Sequence, residues 1–292
     1  MPCPHWLAAA TANHSRSCCN DNIGRTGTDY KGLKDMNSPL AYIGGKSKLA
    51  ETIIGLIPAH QAYCEVFAGA AWVFFRKEPS KYEVINDLDS DLVTFYRVLQ
   101  NHLEEFLKQF KWLLSSREWF EDWKRQQEAG GLTDIQRAAR YYYLQRQCFG
   151  GRVKDRAFGT APLRRPRINL LRLEEELSEV YLRLAQATIE NLPWQEFVMR
   201  YDRPETFFYL DPPYFKAPYY KHNLDTIDDY LEMEVTLEKV KARWILSIND
   251  IPEIREGFSQ FHVKPVTLKY SVAKESNTVG RELLIANFDI GR

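Results

Sequence analysis

The chain has 292 residues, of which 45% are hydrophobic and 13% aromatic, a composition that excludes a disordered chain and allows one substantial core with a smaller lobe. Its 39 Lys and Arg residues balance 39 Asp and Glu residues, so any surface for nucleic acid must be a local cluster of charge. Five cysteines with no Cys-x-x-Cys pair and no histidine cluster at metal spacing predict a reduced, cytoplasmic protein without a metal site.

Residues 1–37 are predicted to form a disordered N-terminal extension, because they are polar and glycine-rich and show no sustained hydrophobic period. The apolar piece from Trp6 to Ala10 is too brief for a signal peptide or a membrane span, so we expect no membrane association. Met36 lies just before the first motif. We therefore expect a chain that begins at Met36 to fold and to work.

A glycine turn, Tyr42-Ile43-Gly44-Gly45-Lys46-Ser47, precedes an amphipathic helix that ends near Pro58. The end of this turn resembles a phosphate-binding P-loop. That motif needs a glycine five positions before Gly45, where Leu40 stands, together with a preceding buried strand. The pattern thus argues against an NTPase and leaves Lys46 able to reach a carboxylate.

A strand, a tight turn of small residues and a helix follow over residues 62–75, as in the first βα unit of a doubly wound sheet. A second strand from Tyr82 to Ile85 runs into Asn86 and Asp87. An acid at the end of the second strand is placed to accept hydrogen bonds from ribose hydroxyls. The alternative is that Asp87 caps the next helix, a role for which Asp89 is the better candidate.

The βα alternation is then interrupted. We predict a helix over residues 91–112 and an inserted, mainly helical lobe over residues 97–186, with a glycine-rich hairpin or loop from Gln145 to Pro162. Between Ile135 and Leu173 the charge is strongly basic, with Asp155 as the one acid. Such arginines pair with phosphates or contact guanine edges, and Gln147 is a candidate reader of adenine. The alternative is a solvated basic face. The proposed DNA-binding residues are Arg152, Lys154, Arg156, Arg164, Arg165 and Arg167.

Alternation resumes with a strand from Ala187 to Glu190 and a short helix that starts at Trp194. Three further strands are predicted at residues 244–249, 261–270 and 282–288. Before them, the aromatic strand Phe207–Leu210 ends at Asp211-Pro212-Pro213-Tyr214, because the prolines have no amide hydrogen for the ladder. Ligands bind at the carboxyl ends of the strands in open α/β sheets.

Asp211 and the carbonyl of Pro212 are suited to accept both hydrogens of an exocyclic amino group. They would localise the nitrogen lone pair and favour attack by nitrogen, which is electrostatic preorganisation toward the transition state. Tyr214 is suited to stack on the base. The loop after Tyr214 is aromatic and basic, as expected of a segment that closes over a substrate.

The order of these motifs resembles the Dam-type (class D12) DNA adenine N6-methyltransferases, which use S-adenosylmethionine, and the resemblance extends from about Pro39 to Phe288. It implies catalytic residues Asp211, Pro212, Pro213 and Tyr214. It implies a cofactor site formed by Tyr42, Gly44, Lys46, Glu65, Phe67, Gly69, Asp87, Trp194, Gln195 and Asp211. The sequence departs from the family where Ala70 and Ala71 replace two glycines, which bears on how tightly the turn contacts the cofactor.

The predicted fold is α/β, a Rossmann-like doubly wound methyltransferase sheet formed by residues 38–96 and 187–292, with residues 97–186 as the target-recognition lobe. The resemblance implies a site-specific enzyme, EC 2.1.1.72, that methylates a flipped adenine in double-stranded DNA, in restriction-modification or another role. We expect a monomer without a metal. The alternatives are a methyltransferase that acts on RNA or on a protein amide, although glutamine methylation goes with Asn-Pro-Pro-Tyr, and a DNA-binding module that has lost catalysis.

Overall fold

A computed structural model describes residues 36–159, 167–215, 220–269 and 279–291. Within them a seven-stranded sheet has the order β3-β2-β1-β4-β5-β7-β6. Strands β1 to β5 run parallel to one another, and β7 runs antiparallel to both β5 and β6. The strands are β1 (Ala62–Glu65), β2 (Tyr82–Asn86), β3 (Ala187–Glu190), β4 (Thr206–Leu210), β5 (Arg243–Asn249), β6 (His262–Lys269) and β7 (Val279–Ala286).

Ten α-helices surround this sheet in the described ranges. They are α1 (Ala50–Leu56), α2 (Trp72–Arg76), α3 (Ser90–Asn101), α4 (Leu103–Lys108), α5 (Arg117–Ala129), α6 (Asp134–Gln147), α7 (Leu173–Leu184), α8 (Trp194–Tyr201), α9 (Ile227–Glu238) and α10 (Pro252–Gly257). The predicted α/β fold and all seven predicted strands are confirmed. None of these helices is both long enough and apolar enough to cross a membrane.

Strand β4 lies at the centre of the fold, and all five of its residues are buried. Phe207 and Tyr209 face a core formed with α1, α2, α3, α6 and α7, whereas Phe208 and Leu210 face a second core formed with α8, α9 and α10. Because helices cover both faces, the strand is a continuous apolar run instead of an alternating one. This packing fixes the position at which Asp211 leaves the sheet.

The single helix predicted over residues 91–112 is wrong, since the structure divides it into α3 and α4. His102 interrupts the helix with φ −141°. The break lets Phe106 pack against Tyr142 of α6, with ring centroids 5.7 Å apart, while Phe95 of α3 stacks on the same ring at 5.6 Å. The inserted helices therefore share a core with the sheet.

The division of the chain into three units stays a prediction. The boundary placed between residues 96 and 97 falls inside α3. Met36, which falls within the predicted extension, is 6% exposed and packs in the core beside the sheet. The rest of the predicted extension, residues 1–35, lies outside the described residues.

Candidate active site

A cleft lies at the carboxyl ends of β1, β2 and β4, where the glycine turn (Tyr42–Ser47) crosses them. Ligands of open α/β sheets bind in this place because strand ends and helix starts meet there. The cleft is lined by ten of the residues predicted from the sequence, which are Tyr42, Gly44, Lys46, Glu65, Phe67, Gly69, Asp87, Trp194, Asp211 and Pro213. These ten residues come from five separate segments of the chain.

Three of the predicted catalytic and cofactor-binding residues lie outside the lining of the cleft. Pro212 is buried directly after Asp211, and Tyr214 contacts the site through its hydroxyl. The side chain of Gln195 is turned elsewhere, since its Nε2 donates to Glu232 Oε1 at 3.1 Å. The role of Gln195 as a cofactor contact, which the resemblance implies, thus has no support from the cleft, whereas its neighbour Trp194 lines the cleft.

Asp211 is the residue on which the site converges. Its Oδ1 lies 2.6 Å from Lys46 Nζ, and the Asp211 side chain is 20% exposed while that of Lys46 is 4% exposed. The same Oδ1 accepts a hydrogen bond from Ser247 Oγ at 3.1 Å. Burial raises the pKa of Asp211, and the charge of Lys46 acts against that rise. The carboxylate is thus kept in a low-dielectric site by a cation from the glycine turn.

Lys46 uses all three of its ammonium hydrogens within the site. Besides Asp211, it donates to the Tyr214 hydroxyl at 2.6 Å and to the Gly44 carbonyl at 3.4 Å. Its ammonium also lies over the Tyr214 ring, 4.6 Å from the centroid. The expectation that Lys46 reaches a carboxylate is therefore met, and the same side chain holds the tyrosine of the Asp-Pro-Pro-Tyr motif in place.

Asp87 organises the turn between β1 and α2. Its Oδ2 accepts from the Gly69 amide at 2.9 Å, and its Oδ1 accepts from the Asp89 amide at 2.9 Å. Burial raises the pKa of Asp87 to about 6, although these backbone hydrogen bonds oppose the rise. The cap of α3 belongs to Asp89, which accepts from the Asp91 amide, so Asp87 is not needed for that role.

Glu65, at the end of β1, is fully enclosed below the cleft. Its Oε2 accepts from the Tyr63 hydroxyl at 2.7 Å and from the Phe74 amide at 3.0 Å. Burial is the main cause that raises the pKa of Glu65 to about 8. The side chain is therefore protonated near neutral pH, and it carries an acidic hydrogen to donate.

Ala71 adopts a left-handed conformation, with φ 51° and ψ 40°, as the residue before α2. Gly69 is also left-handed, with φ 48°. A Cβ at Gly69 would lie 3.3 Å from the Tyr42 ring, so a glycine is required there for close approach. An alanine stands here where the resemblance implies a glycine, and its left-handed backbone is strained.

Asn86, Ser247 and Tyr220 also belong to the site, although none of the three was predicted as a site residue. Asn86 donates to the carbonyls of Val66 and Leu192 and accepts from the Leu192 amide, so it ties three strand ends together. Ser247 had a visible signal, because it is a polar residue inside the apolar run of β5. Tyr220 belongs to the aromatic, basic loop after Tyr214 that was expected to close over a substrate, and its hydroxyl donates to the Ile43 carbonyl at 3.1 Å, a contact distant in sequence.

The basic loop, residues 148–159, is closed by an antiparallel bridge between Cys148 and Phe158, which agrees with the predicted hairpin. Arg152 and Lys154 are exposed on it. Arg156 instead donates to Gln145 Oε1, and Arg167 donates to the Cys148 carbonyl at 2.8 Å. Arg164 and Arg165 lie outside the described residues.

Two glutamines of α6 are turned inward beside this loop. Gln147 is 1% exposed and donates to Ser115 Oγ at 2.6 Å, which removes its amide from the surface on which it was expected to read a base. Gln145 donates to the carbonyls of Ala41 and Gly151, each at 2.7 Å. Together with the 2.9 Å bond from the Ile43 amide to the Gly151 carbonyl, Gln145 fastens the basic loop to the glycine turn.

Comparison with known proteins agrees with this geometry. A model of the D12 class N6 adenine-specific DNA methyltransferases matches residues 42–272. The chain is 25% identical to the Type II methyltransferase M1.LlaDCHI of Lactococcus lactis subsp. cremoris, over 85% of this chain and 94% of that protein. It is 23% identical to the Type II methyltransferase M.CviBI of Paramecium bursaria Chlorella virus NC1A, over 85% and 96%.

A third relative is the DNA adenine methylase of Escherichia coli strain K12, 22% identical over 84% of this chain and 92% of that protein. The match to the family model covers the glycine turn, the left-handed turn before α2, the insert and the Asp-Pro-Pro-Tyr tip. The chain belongs to the D12 class of N6 adenine-specific DNA methyltransferases.

Proposed function

We propose that this protein transfers a methyl group from S-adenosylmethionine to the N6 amino group of a flipped adenine in double-stranded DNA, as a cytoplasmic, monomeric enzyme of the class EC 2.1.1.72. The observation that carries the proposal is the position of Asp211, which leaves β4 at the cleft shared with the turn after β1.

The cleft has the groups that S-adenosylmethionine requires. A carboxylate accepts up to about four hydrogen bonds, so Asp87 keeps acceptor capacity for ribose hydroxyls beside its two backbone contacts. The left-handed Gly69 lets the backbone approach a ligand, and Trp194 offers an aromatic wall. The bound cofactor would supply an electrophilic methyl group on a sulfonium.

The remaining chemistry belongs to side chains of this protein. Asp211 and the Pro212 carbonyl accept the two amino hydrogens and localise the nitrogen lone pair toward the methyl group. Tyr214 stacks on the flipped base, held by the bond from Lys46 to its hydroxyl. The exposed Arg152 and Lys154 bind the phosphates of the duplex, and we propose the same for Arg164 and Arg165.

The test is methyl transfer from labelled S-adenosylmethionine to duplex DNA, to RNA and to protein by the purified chain. We expect label in duplex DNA alone, and nucleoside digestion followed by mass spectrometry should identify N6-methyladenine. Label in RNA or protein without label in DNA would refute the proposed substrate. Binding of S-adenosylmethionine without transfer to any acceptor would identify an inactive module.

A further inference from the structure

Two buried hydroxyls form a chain behind Asp211. Ser247 lies on β5, directly after Leu246, which pairs in register with Leu210 of β4. Its Oγ lies 3.1 Å from Asp211 Oδ1 and 3.0 Å from the Tyr209 hydroxyl. Ser247 is 0% exposed and Tyr209 is 1% exposed, so neither hydroxyl exchanges these partners for bulk water.

The direction of this chain follows from the number of hydrogens. A serine hydroxyl has one hydrogen to donate, and an ionised Asp211 can only accept. Ser247 therefore donates to Asp211, and Tyr209 must donate to Ser247. The result is a chain of hydrogen bonds that donate in one direction, in which the buried tyrosine orients the serine and the serine orients the carboxylate.

We infer that Ser247 is a positioning residue for the methyl-transfer step, which it serves by holding Asp211 ionised and fixed, with Tyr209 acting through Ser247. The inference rests on the proposed function. Lys46 and Ser247 both contact Oδ1, which leaves Oδ2 for the amino hydrogen of the substrate. Two donors on one oxygen fix the rotation of the carboxyl group, as a reaction with strict geometry requires.

The charges around Asp211 show why a neutral donor matters. Lys46 from the glycine turn favours the ionised form, whereas Glu282 of β7 disfavours it and burial opposes it. Glu65 of β1 also interacts electrostatically with Asp211, and Tyr209 and Tyr214 are two further titratable groups beside this pair. Loss of the Ser247 hydroxyl removes a donor that lowers the pKa of Asp211, so a higher pH is needed to ionise the carboxyl.

The test compares Ser247→Ala with Thr206→Val in single-turnover methyl transfer to duplex DNA between about pH 5 and 9, the range that brackets these groups. Thr206 is buried at the other end of β4, where its hydroxyl donates to the Tyr201 carbonyl, so its loss has no route to Asp211. We expect Ser247→Ala to slow transfer about 10- to 100-fold, the value of a hydrogen bond to a charged group. The acid limb of its plot of rate against pH should move to higher pH, while its affinities for the cofactor and for DNA are preserved.

Tyr209→Phe, alone and combined with Ser247→Ala in a double variant, tests the chain of hydrogen bonds itself. Because Ser247 can still donate to Asp211 without the tyrosine, Tyr209→Phe should slow transfer less than Ser247→Ala does. The double variant should be no slower than Ser247→Ala, since Tyr209 acts only through Ser247. The double variant also removes both buried partners, which guards against a folding defect from one unsatisfied hydroxyl.

A wild-type rate and pH profile in Ser247→Ala would overturn the inference, as would losses that add in the double variant. A slow Ser247→Ala whose acid limb is unmoved, or which matches Thr206→Val, would also overturn it. Failure of the proposed function looks different, because the wild-type protein would then methylate no DNA at any pH.

Discussion

The ammonium of Lys46 lies 2.6 Å from Oδ1 of Asp211, so that a nearly buried ion pair joins the glycine turn to the tip of β4. The turn and the tip lie far apart in the sequence, and each alone is a common loop. Only the tertiary structure places the cation against the carboxylate. The pair makes the ionised form of Asp211 available in a site where burial alone would favour the neutral acid.

The first prediction concerns Asp211→Asn. This variant keeps the shape of the side chain but removes the charge that localises the amino lone pair, so methyl transfer should fall by about 100-fold or more. DNA affinity should change little, because on the proposed function the phosphate contacts come from the basic loop. Single-turnover transfer and a DNA titration measure the two effects. Asp250→Asn is the matched control, since Asp250 follows β5 and pairs with Arg255 at the surface.

Lys46→Met tests the ion pair. Without the cation, the pKa of Asp211 should rise further, because burial and Glu282 are then opposed by Ser247 alone. The acid limb of the transfer rate should therefore move to higher pH, and the protein should melt at a lower temperature. Lys48→Met, in the exposed part of the same segment, is the control. An unmoved acid limb in Lys46→Met would show that Lys46 does not set the charge of Asp211.

Glu65→Gln should change how stability depends on pH. The folded chain raises the pKa of Glu65 from its ordinary 4.5 to about 8, so between these values the folded state binds a proton that the unfolded state has released. Raising the pH through this interval therefore favours unfolding of the wild type. The glutamine variant lacks that proton and should gain stability relative to the wild type from about pH 5 to pH 8.

Denaturant titrations at several pH values measure this difference for Glu65→Gln and for Glu51→Gln, which removes an exposed carboxyl from α1. The difference between wild type and Glu51→Gln serves as the reference for loss of a surface charge. A difference for Glu65→Gln that stays constant with pH would contradict a buried, protonated Glu65.

Ala71→Gly should relieve backbone strain. A left-handed alanine destabilises the folded state by about 1–2 kcal/mol. Glycine removes this strain, but its greater freedom in the unfolded chain offsets roughly 0.5–1 kcal/mol of the gain. A net gain of up to about 1.5 kcal/mol is expected. Ala70 has no positive φ, so Ala70→Gly should only lose stability. Thermal melting of the two variants gives the comparison, and equal shifts would exclude strain at Ala71.

The exposed cations of the basic loop should behave differently from Arg156. On the proposed function, Arg152→Ala and Lys154→Ala each remove a cation that pairs with a phosphate. Each should then flatten the plot of log DNA affinity against log salt by about 0.9 on B-DNA. Arg156 donates to Gln145 and Gln127 and lies over the Tyr141 ring, so Arg156→Ala should lower stability and leave the salt slope nearly unchanged. Identical slopes for all three variants would contradict this division.

Much of the fold was predictable from the sequence, because the seven strands are short apolar runs bounded by turn residues. The tip at Asp211 was predictable for the same reason, since two prolines end β4 at a known edge of the sheet. The break at His102 was not, because it depends on Phe106 packing against a helix that comes later in the chain. Long-range packing likewise decided which arginines of the basic loop are exposed.

The residues of the site likewise divide into those that could be predicted from the sequence and those that could not. Asp87 and Gly69 were found because their roles depend on local spacing after a strand. The hydroxyl chain through Ser247 was not found, because it requires the register of β5 against β4, which periodicity does not give. Gln147 misled the sequence analysis since an amide in a basic segment suggests base reading, and only burial on α6 shows otherwise.

The bonds of Gln145 to the carbonyls of Ala41 and Gly151 join the segment at the cleft to the basic loop, so that on the proposed function they connect the site for S-adenosylmethionine with the site for DNA. One end of the fastened segment faces the cofactor cleft, and the other carries the cations for DNA. If duplex DNA shifts the loop and thereby changes the affinity for S-adenosylmethionine, the cofactor must change the affinity for DNA by the same factor. The size of that shared factor would then depend on Gln145, a buried amide outside the lining of the cleft.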